Sequence, residues 1–156
     1  MSTARAALAV AAAFVAAQVL AVIVHGLILS ADYEPFEGSL LRAAGGDQPP
    51  WQMVFLPVAH LVYVSTMVWL YARLHVEGSL VARGVTLGLV SWLMSQVPLW
   101  LIWYAQQPWP GSLLVKQLGL ELVAMIVVGT VIAAVARTGE RAPAFAPAAN
   151  RPTNAL

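Results

Sequence analysis

Six polar side chains interrupt the apolar stretches of this chain and are the residues whose types could carry chemistry. They are His25, His60, Tyr63, Gln96, Gln117 and Glu121. Imidazoles exchange protons near neutral pH, and desolvation raises the pKa of a carboxyl group. The only acid in the last apolar stretch, Glu121, is therefore expected either to be protonated or to pair with a histidinium, His25 or His60. No residue pattern supplies an activated nucleophile or indicates a substrate, so the sequence favours no enzymatic activity.

The elements that must position these residues are four long apolar stretches. The chain has 156 residues, 60% of them hydrophobic and 10% charged, with a mean hydropathy of +0.78, whereas soluble domains carry about 25% charged residues. A membrane-spanning helix needs about 20 apolar residues. We predict an all-α, integral membrane four-helix bundle over residues 1–137, with a disordered tail at 138–156. The predicted helices, numbered 1 to 4, cover about 6–30, 52–73, 83–104 and 112–136.

The positions of Lys and Arg predict the orientation of the bundle. Six arginines fall at the N-terminus, in the middle loop and in the tail: Arg5, Arg73, Arg83, Arg137, Arg141 and Arg151. Only Arg42 and Lys116 fall toward the opposite side. The positive-inside rule then predicts that both termini are cytoplasmic. The net charge of +1 gives no reason to expect nucleic acid as a partner, and the absence of cysteine excludes cysteine-ligated metal sites.

Small residues recur where helices could approach closely. Helix 1 has alanines at every fourth position from Ala9 to Ala21, helix 3 has Gly84, Gly88, Ser91 and Ser95, and helix 4 has Gly129 and Ala133. Such stripes are typical of membrane helix contacts, either within the bundle or in a homodimer.

Aromatic side chains near the predicted outer ends of the helices predict an aromatic belt at that membrane boundary: Trp51, Trp100, Trp103, Tyr104 and Trp109. Lys116 is expected to extend outward to the headgroups. A short surface helix is predicted at 35–44, with Phe36 facing the membrane.

The six polar residues fall in one layer of the predicted outer half. On a rise of about 1.5 Å per residue, His25 lies roughly 6 Å deep, and His60, Gln96 and Glu121 lie about 12–14 Å deep. This layer could be a self-satisfied hydrogen-bond network, a binding or transport site for a proton, cation or small polar molecule, or a metal or haem site. The metal candidates are His25 and His60, although their difference in depth disfavours a single haem.

A short segment at the end of helix 1 carries a resemblance. Residues 25–33 read H-G-x-x-L-x-x-x-Y, and Arg83–Gly84 and Lys116–Gln117 precede or open later helices. These features resemble small bacterial four-helix inner-membrane proteins that have no assigned function. The resemblance implies a multi-pass protein of the bacterial inner membrane and implies no activity. Lipoprotein signal peptidase has a similar size but needs an intramembrane aspartate pair, and small multidrug transporters carry their essential acid in helix 1; this chain lacks both.

Three functions follow as expectations. The first is a non-catalytic accessory or structural membrane protein, embedded in the lipid bilayer as a homo-oligomer or as a subunit of a larger complex. The second is an ion- or proton-coupled binding protein or transporter that uses the polar layer. The third is a haem- or metal-binding redox protein. The residues do not identify a cofactor.

Overall fold

Nearly all of the chain that the computed structural model describes, residues 1–39, 50–74 and 78–137, is helical. Helix 1 is α-helical over Thr3–Ala21 and continues as a π-helix over Val22–Ile28. Helix 2 is Phe55–Arg73, preceded by a 3-10 turn at Pro50–Val54. Helix 3 is Leu80–Gln106 and helix 4 is Gly111–Arg137. A short stretch that we call the outer segment follows helix 1, with an α-helical turn at Ser30–Tyr33 and a 3-10 turn at Glu34–Phe36.

In the described part of the chain, four helices are long and apolar enough to cross a membrane, as the sequence predicts. Their bounds differ from the predicted ones by only a few residues. The predicted tail at 138–156 and most of the predicted surface helix at 35–44 lie outside the described residues.

Polar caps and proline-rich turns set the helix ends. The hydroxyl oxygens of Ser2 and Ser79 accept hydrogen bonds from the backbone N–H groups of Arg5 and Ala82, which satisfies one free donor at each helix start. Pro108 separates helices 3 and 4, since a proline cannot donate the backbone hydrogen bond that would continue a helix. Short connections of this kind make consecutive helices antiparallel neighbours.

Helix 4 is the centre of the bundle, packing on helix 3 and on helix 1, while helix 2 packs mainly on helix 1. Glycines bring helices 3 and 4 into backbone contact. A Cβ atom added at Gly88 would lie 2.6 Å from the Cα of Ile126, and one at Gly129 would lie 2.5 Å from the carbonyl oxygen of Gly84. The small-residue stripes of helices 3 and 4 are thus used inside one chain.

Two apolar clusters hold the helices together. The larger one includes the alanine stripe of helix 1, with Ala9 and Ala13 fully buried against helices 2 and 4. The smaller one closes the predicted outer end and consists of Val24, Leu29, Trp109 and Leu113. Packed on it are aromatic and aliphatic side chains of the outer segment and helix 4: Tyr33, Phe36 and Leu120.

This smaller cluster corrects two predictions about aromatic residues. Trp109, expected in the aromatic belt, is buried and lies 5.1 Å, centroid to centroid, from the ring of Phe36. Trp100 is also buried, stacked edge-on against Trp109. Phe36, expected to face the membrane, therefore packs on protein. The connection between helices 3 and 4 folds back over the bundle end and gives these rings apolar partners.

Candidate functional site

The π-helix at the end of helix 1 positions the first residue of the site, His25. Five residues span about 140° around an α-helix, so Val24 and Leu29 could not share a face there. In the π-helix the N–H of Leu29 donates to the carbonyl of Val24, and both side chains are buried in the same cluster. The wider turn lets the chain end close the apolar cluster while His25 still faces helix 4. Such π-helical turns are frequent at functional sites.

His25 uses both ring nitrogens to join helix 1 to its neighbours. Nε2 lies 3.1 Å from Oε1 of Glu121 in helix 4, and Nδ1 lies 2.9 Å from the hydroxyl of Tyr33 in the outer segment. The Tyr33 hydroxyl donates to Oε1 of Gln117 at 2.5 Å. Gln117 is fully buried, and its Nε2 lies 3.5 Å from Oε1 of Glu121. Four side chains thus form one closed hydrogen-bond network.

Donor and acceptor roles in this network fix how many protons it holds. Burial raises the pKa of Tyr33 to about 12, so the phenol keeps its proton and gives it to Gln117. The Tyr33 oxygen is then free to accept from His25, at 2.9 Å, which places a proton on Nδ1. The Nε2 of Gln117 also lies near Nδ1, but at 3.5 Å, so we assign the shorter contact as the hydrogen bond. The remaining contact, between Nε2 and Glu121, needs one more proton, carried either by the imidazole or by the carboxyl group. In both arrangements His25 and Glu121 share one proton and are neutral as a pair.

A second pair of polar contacts lies deeper, between helices 1, 2 and 4. The Nδ1 of His60 hydrogen-bonds to Oε1 of Gln18 in helix 1. Because an amide oxygen can only accept, Nδ1 carries a proton, and in the neutral imidazole Nε2 of His60 then has the lone pair. The hydroxyl of Tyr63 donates to the sulfur of Met125 at 2.7 Å.

A cleft connects the two sets of contacts. His25, His60, Tyr63 and Glu121 line it together with small and apolar residues of helices 1 and 4: Ala17, Leu20, Ala21, Val24, Ala124, Met125 and Val128. Its free volume is about 50 Å³, which is room for a few water molecules. The side chain of His25 is 40% exposed and that of Glu121 is 14% exposed. The cleft can therefore hold water, a proton or a small hydrogen-bonding group beside two imidazoles and a carboxylate.

The structure brings five of the six predicted residues together and leaves one out. Gln96 is on helix 3 and does not line the cleft, which lies between helices 1, 2 and 4. Within the described ranges 1–39, 50–74 and 78–137, the amide of Gln96 makes no hydrogen bond. Lys116, expected to extend to the headgroups, instead binds both carboxylate oxygens of Asp32, at 2.6 and 2.9 Å. This ion pair fastens the outer segment to helix 4.

Two residues of these hydrogen-bond contacts, Tyr33 and Gln18, were not predicted as site residues. Tyr33 lies in the charged connection after helix 1. Because it is outside the apolar stretches, polarity within such a stretch could not identify it. Its spacing of eight residues from His25 was the only available signal. Gln18 is one of the few polar residues inside helix 1, and its partner His60 comes from the next helix. Polarity within an apolar stretch could have identified Gln18, as it identified Gln96.

The geometry does not fit the predicted metal or haem site. No group of three or more His, Cys, Asp or Glu residues in the described part of the chain could hold a metal ion. At both histidines Nδ1 is engaged by a hydrogen bond, so only Nε2 could ligate a metal, and Nε2 of His25 already contacts Glu121. A cleft of about 50 Å³ is also far too small for haem.

The chain matches no protein-family model, no curated protein and no solved structure.

Proposed function

We propose that this chain is a multi-pass membrane protein that binds a proton and a small hydrogen-bonding group in the cleft between helices 1, 2 and 4. The observation that carries the proposal is the 3.1 Å contact between Nε2 of His25 and Oε1 of Glu121, beside a cleft with room for a ligand. A neutral pair avoids the cost of an isolated charge in a bilayer, yet it can gain or lose a proton without moving a helix.

The surroundings of the pair support a change of protonation rather than a fixed structural contact. The titratable groups that face it are His60 and Tyr63 from helix 2 and Tyr33 from the outer segment. Asp32 and Lys116 neutralise each other above it. Among the described residues, the basic side chain that pairs with Glu121 is therefore His25, and Lys116 pairs with Asp32 instead. A proton gained or lost by the pair of His25 and Glu121 is then not compensated by a neighbouring salt bridge.

The accessory or structural function, with a homo-oligomer or other membrane subunits as partners, stays a prediction. The small-residue stripes favour association with another copy or subunit, but those of helices 3 and 4 pack against each other within one chain. The location in a bacterial inner membrane and the cytoplasmic position of both termini belong to this proposal as well, since they derive from the arginine distribution and from the resemblance.

Infrared difference spectroscopy on the protein in nanodiscs tests the proton site. On acidification we expect the carboxylic acid C=O stretch of Glu121 to gain intensity, because one more proton on the neutral pair leaves both an imidazolium at His25 and a carboxylic acid at Glu121. The Glu121→Gln variant should lose this band. The control variant Glu37→Gln removes an exposed acid just after the outer segment and should keep the band.

A second variant covers the case in which Glu121→Gln does not fold. His25→Gln leaves the carboxyl group and removes its proton partner, so the acid band should shift in position and in midpoint pH. A band that is unchanged in both variants, or that disappears with Glu37→Gln, would overturn the proposal.

A further inference from the structure

The polar pair is closed toward the predicted outer end of the bundle. Leu29, Trp109 and Leu113 are buried there with at most 5% of their surface exposed. The outer segment crosses above His25 and is fastened to helix 4 by Tyr33 and by the ion pair of Asp32 with Lys116. A ligand that arrives from water along the bundle axis would have to displace this cap.

The packing of helix 2 points to a lateral opening of the cleft on that side. The inner half of helix 2 is packed, with Val64, Met67 and Val68 buried. Its outer half and the 3-10 turn before it are not packed: from Trp51 to Ala59 every residue except Gln52 and Pro57 is exposed. Helix 2 also makes few contacts with helices 3 and 4. The 40% exposure of His25, beneath a closed cap, is consistent with this lateral opening.

The polar atoms at the end of this opening are mainly acceptors. The Nε2 of His60 keeps its lone pair because Nδ1 donates to Gln18. Oε1 of Glu121 accepts from His25 and Gln117, and its second oxygen makes no hydrogen bond within residues 1–39, 50–74 and 78–137. The rest of the lining is aliphatic, including Ala17, Ala21 and Ala124.

We infer that the ligand of this cleft is an amphiphile from the surrounding lipid, with a hydrogen-bond-donating head such as an amine or hydroxyl. The inference rests on the proposed function, because it names the ligand class of the same site. The head fits beside Glu121 and His60, where two acceptors converge. The cleft holds only a few atoms, so the apolar part of the ligand remains outside, along the exposed outer half of helix 2.

Photolabelling of the full chain in nanodiscs tests this inference with three probes that carry the same diazirine: dodecylamine, dodecanoate and propylamine. We expect dodecylamine to label helices 1 and 2 beside the cleft and unlabelled dodecanol to compete. Dodecanoate offers no donor when ionised, and propylamine has no apolar chain, so both should label weakly. Glu121→Gln removes a charged acceptor and should reduce dodecylamine labelling roughly tenfold.

A cleft-filling variant gives the matched comparison. Ala124→Leu places a larger side chain in the cleft and should abolish labelling, whereas Ala11→Leu makes the same exchange on an exposed position of helix 1 and should not. Equal labelling of both variants, or labelling by propylamine in place of dodecylamine, would overturn the inference. The infrared acid band is measured without any probe, so an intact band with no dodecylamine labelling would reject the lipid-derived ligand and leave the proton site standing.

Discussion

His25 is the residue on which the site depends, because among the described residues that line the cleft it alone hydrogen-bonds to both the outer segment and helix 4. Its two nitrogens have different tasks. Nδ1 is held by Tyr33, which fixes the plane and the tautomer of the ring, and Nε2 shares the proton with Glu121. A histidine held in this way can transfer a proton at Nε2 while Nδ1 stays protonated.

The Tyr33 hydroxyl is expected to stabilise the network. Tyr33→Phe leaves the buried Oε1 of Gln117 without its donor, which should lower the free energy of unfolding by about 1–3 kcal/mol. Thermal denaturation in detergent measures this. Tyr104→Phe removes an exposed hydroxyl and should change little, and equal losses in the two variants would contradict the network.

The same phenol gives a pH dependence with a defined sign. Burial raises the pKa of Tyr33 from 10.0 to about 12, so the folded protein holds this proton more tightly than the unfolded chain. The resulting stabilisation is present below pH 10 and is lost as the pH rises toward about 12. Unfolding measured across this alkaline range should show a loss of stability that is smaller in Tyr33→Phe.

At the residue scale, the sequence predicted which polar side chains matter better than it predicted their partners. Polarity inside an apolar stretch identified His25, Gln117 and Glu121. Depth along straight α-helices placed His25 and Glu121 at different levels, although the structure has them in contact. Gln96 shows the reverse error, since depth alone does not determine which face of a helix points at a cleft.

At the scale of the elements, the π-helix of helix 1 could not be predicted from the sequence, whereas the close contact of helices 3 and 4 could. The apolar spacing of helix 1 predicts a helix but contains no signal for a switch to a π-helix at Val22. That switch depends on tertiary contacts of Leu29 with Trp109 and Leu113. The contact between helices 3 and 4, in contrast, follows from Gly84, Gly88 and Gly129, since glycines permit backbones to approach closely.

The glycine contact should be sensitive to a single methyl group. In Gly88→Ala the new Cβ would lie 2.6 Å from the Cα of Ile126, so helices 3 and 4 must separate, at a cost of about 1–3 kcal/mol in unfolding free energy. Denaturant titration in mixed micelles measures the loss.

A glycine without neighbours provides the control for that substitution. Gly119 lies in helix 4 with no atom within 4 Å of an added Cβ. Gly119→Ala should therefore keep or slightly raise the stability, because alanine favours helix. Equal destabilisation by both substitutions would show that the backbone contact at Gly88 has no special role.

At the scale of the whole molecule, four apolar helices leave large aliphatic side chains exposed on every helix, as expected if lipid covers them. The number of helices was predictable because length and composition alone decide it. The arrangement was not, because helix 2 could equally have packed on helix 3. The structure shows helix 2 mainly on helix 1, and the cleft exists because of that arrangement.

The orientation can be measured with cysteines, since the chain contains none. Single variants Ala4→Cys and Ser39→Cys place a thiol on exposed positions, one at the start of helix 1 and the other just after the outer segment that follows this helix. In intact cells, a membrane-impermeant maleimide should label Ser39→Cys at once and Ala4→Cys only after permeabilisation. The opposite pattern would place the termini outside and contradict the arginine-based orientation.

The most direct test of the account is the protonation state of His25, measured by ¹⁵N NMR on the histidine-labelled protein in bilayers and assigned by substitution of each histidine. We expect a proton on Nδ1 of His25 and an Nε2 whose shift changes when Glu121→Gln removes the shared proton. A bare Nδ1, or a His25 spectrum that is the same with and without the Glu121 carboxyl group, would contradict the shared-proton site.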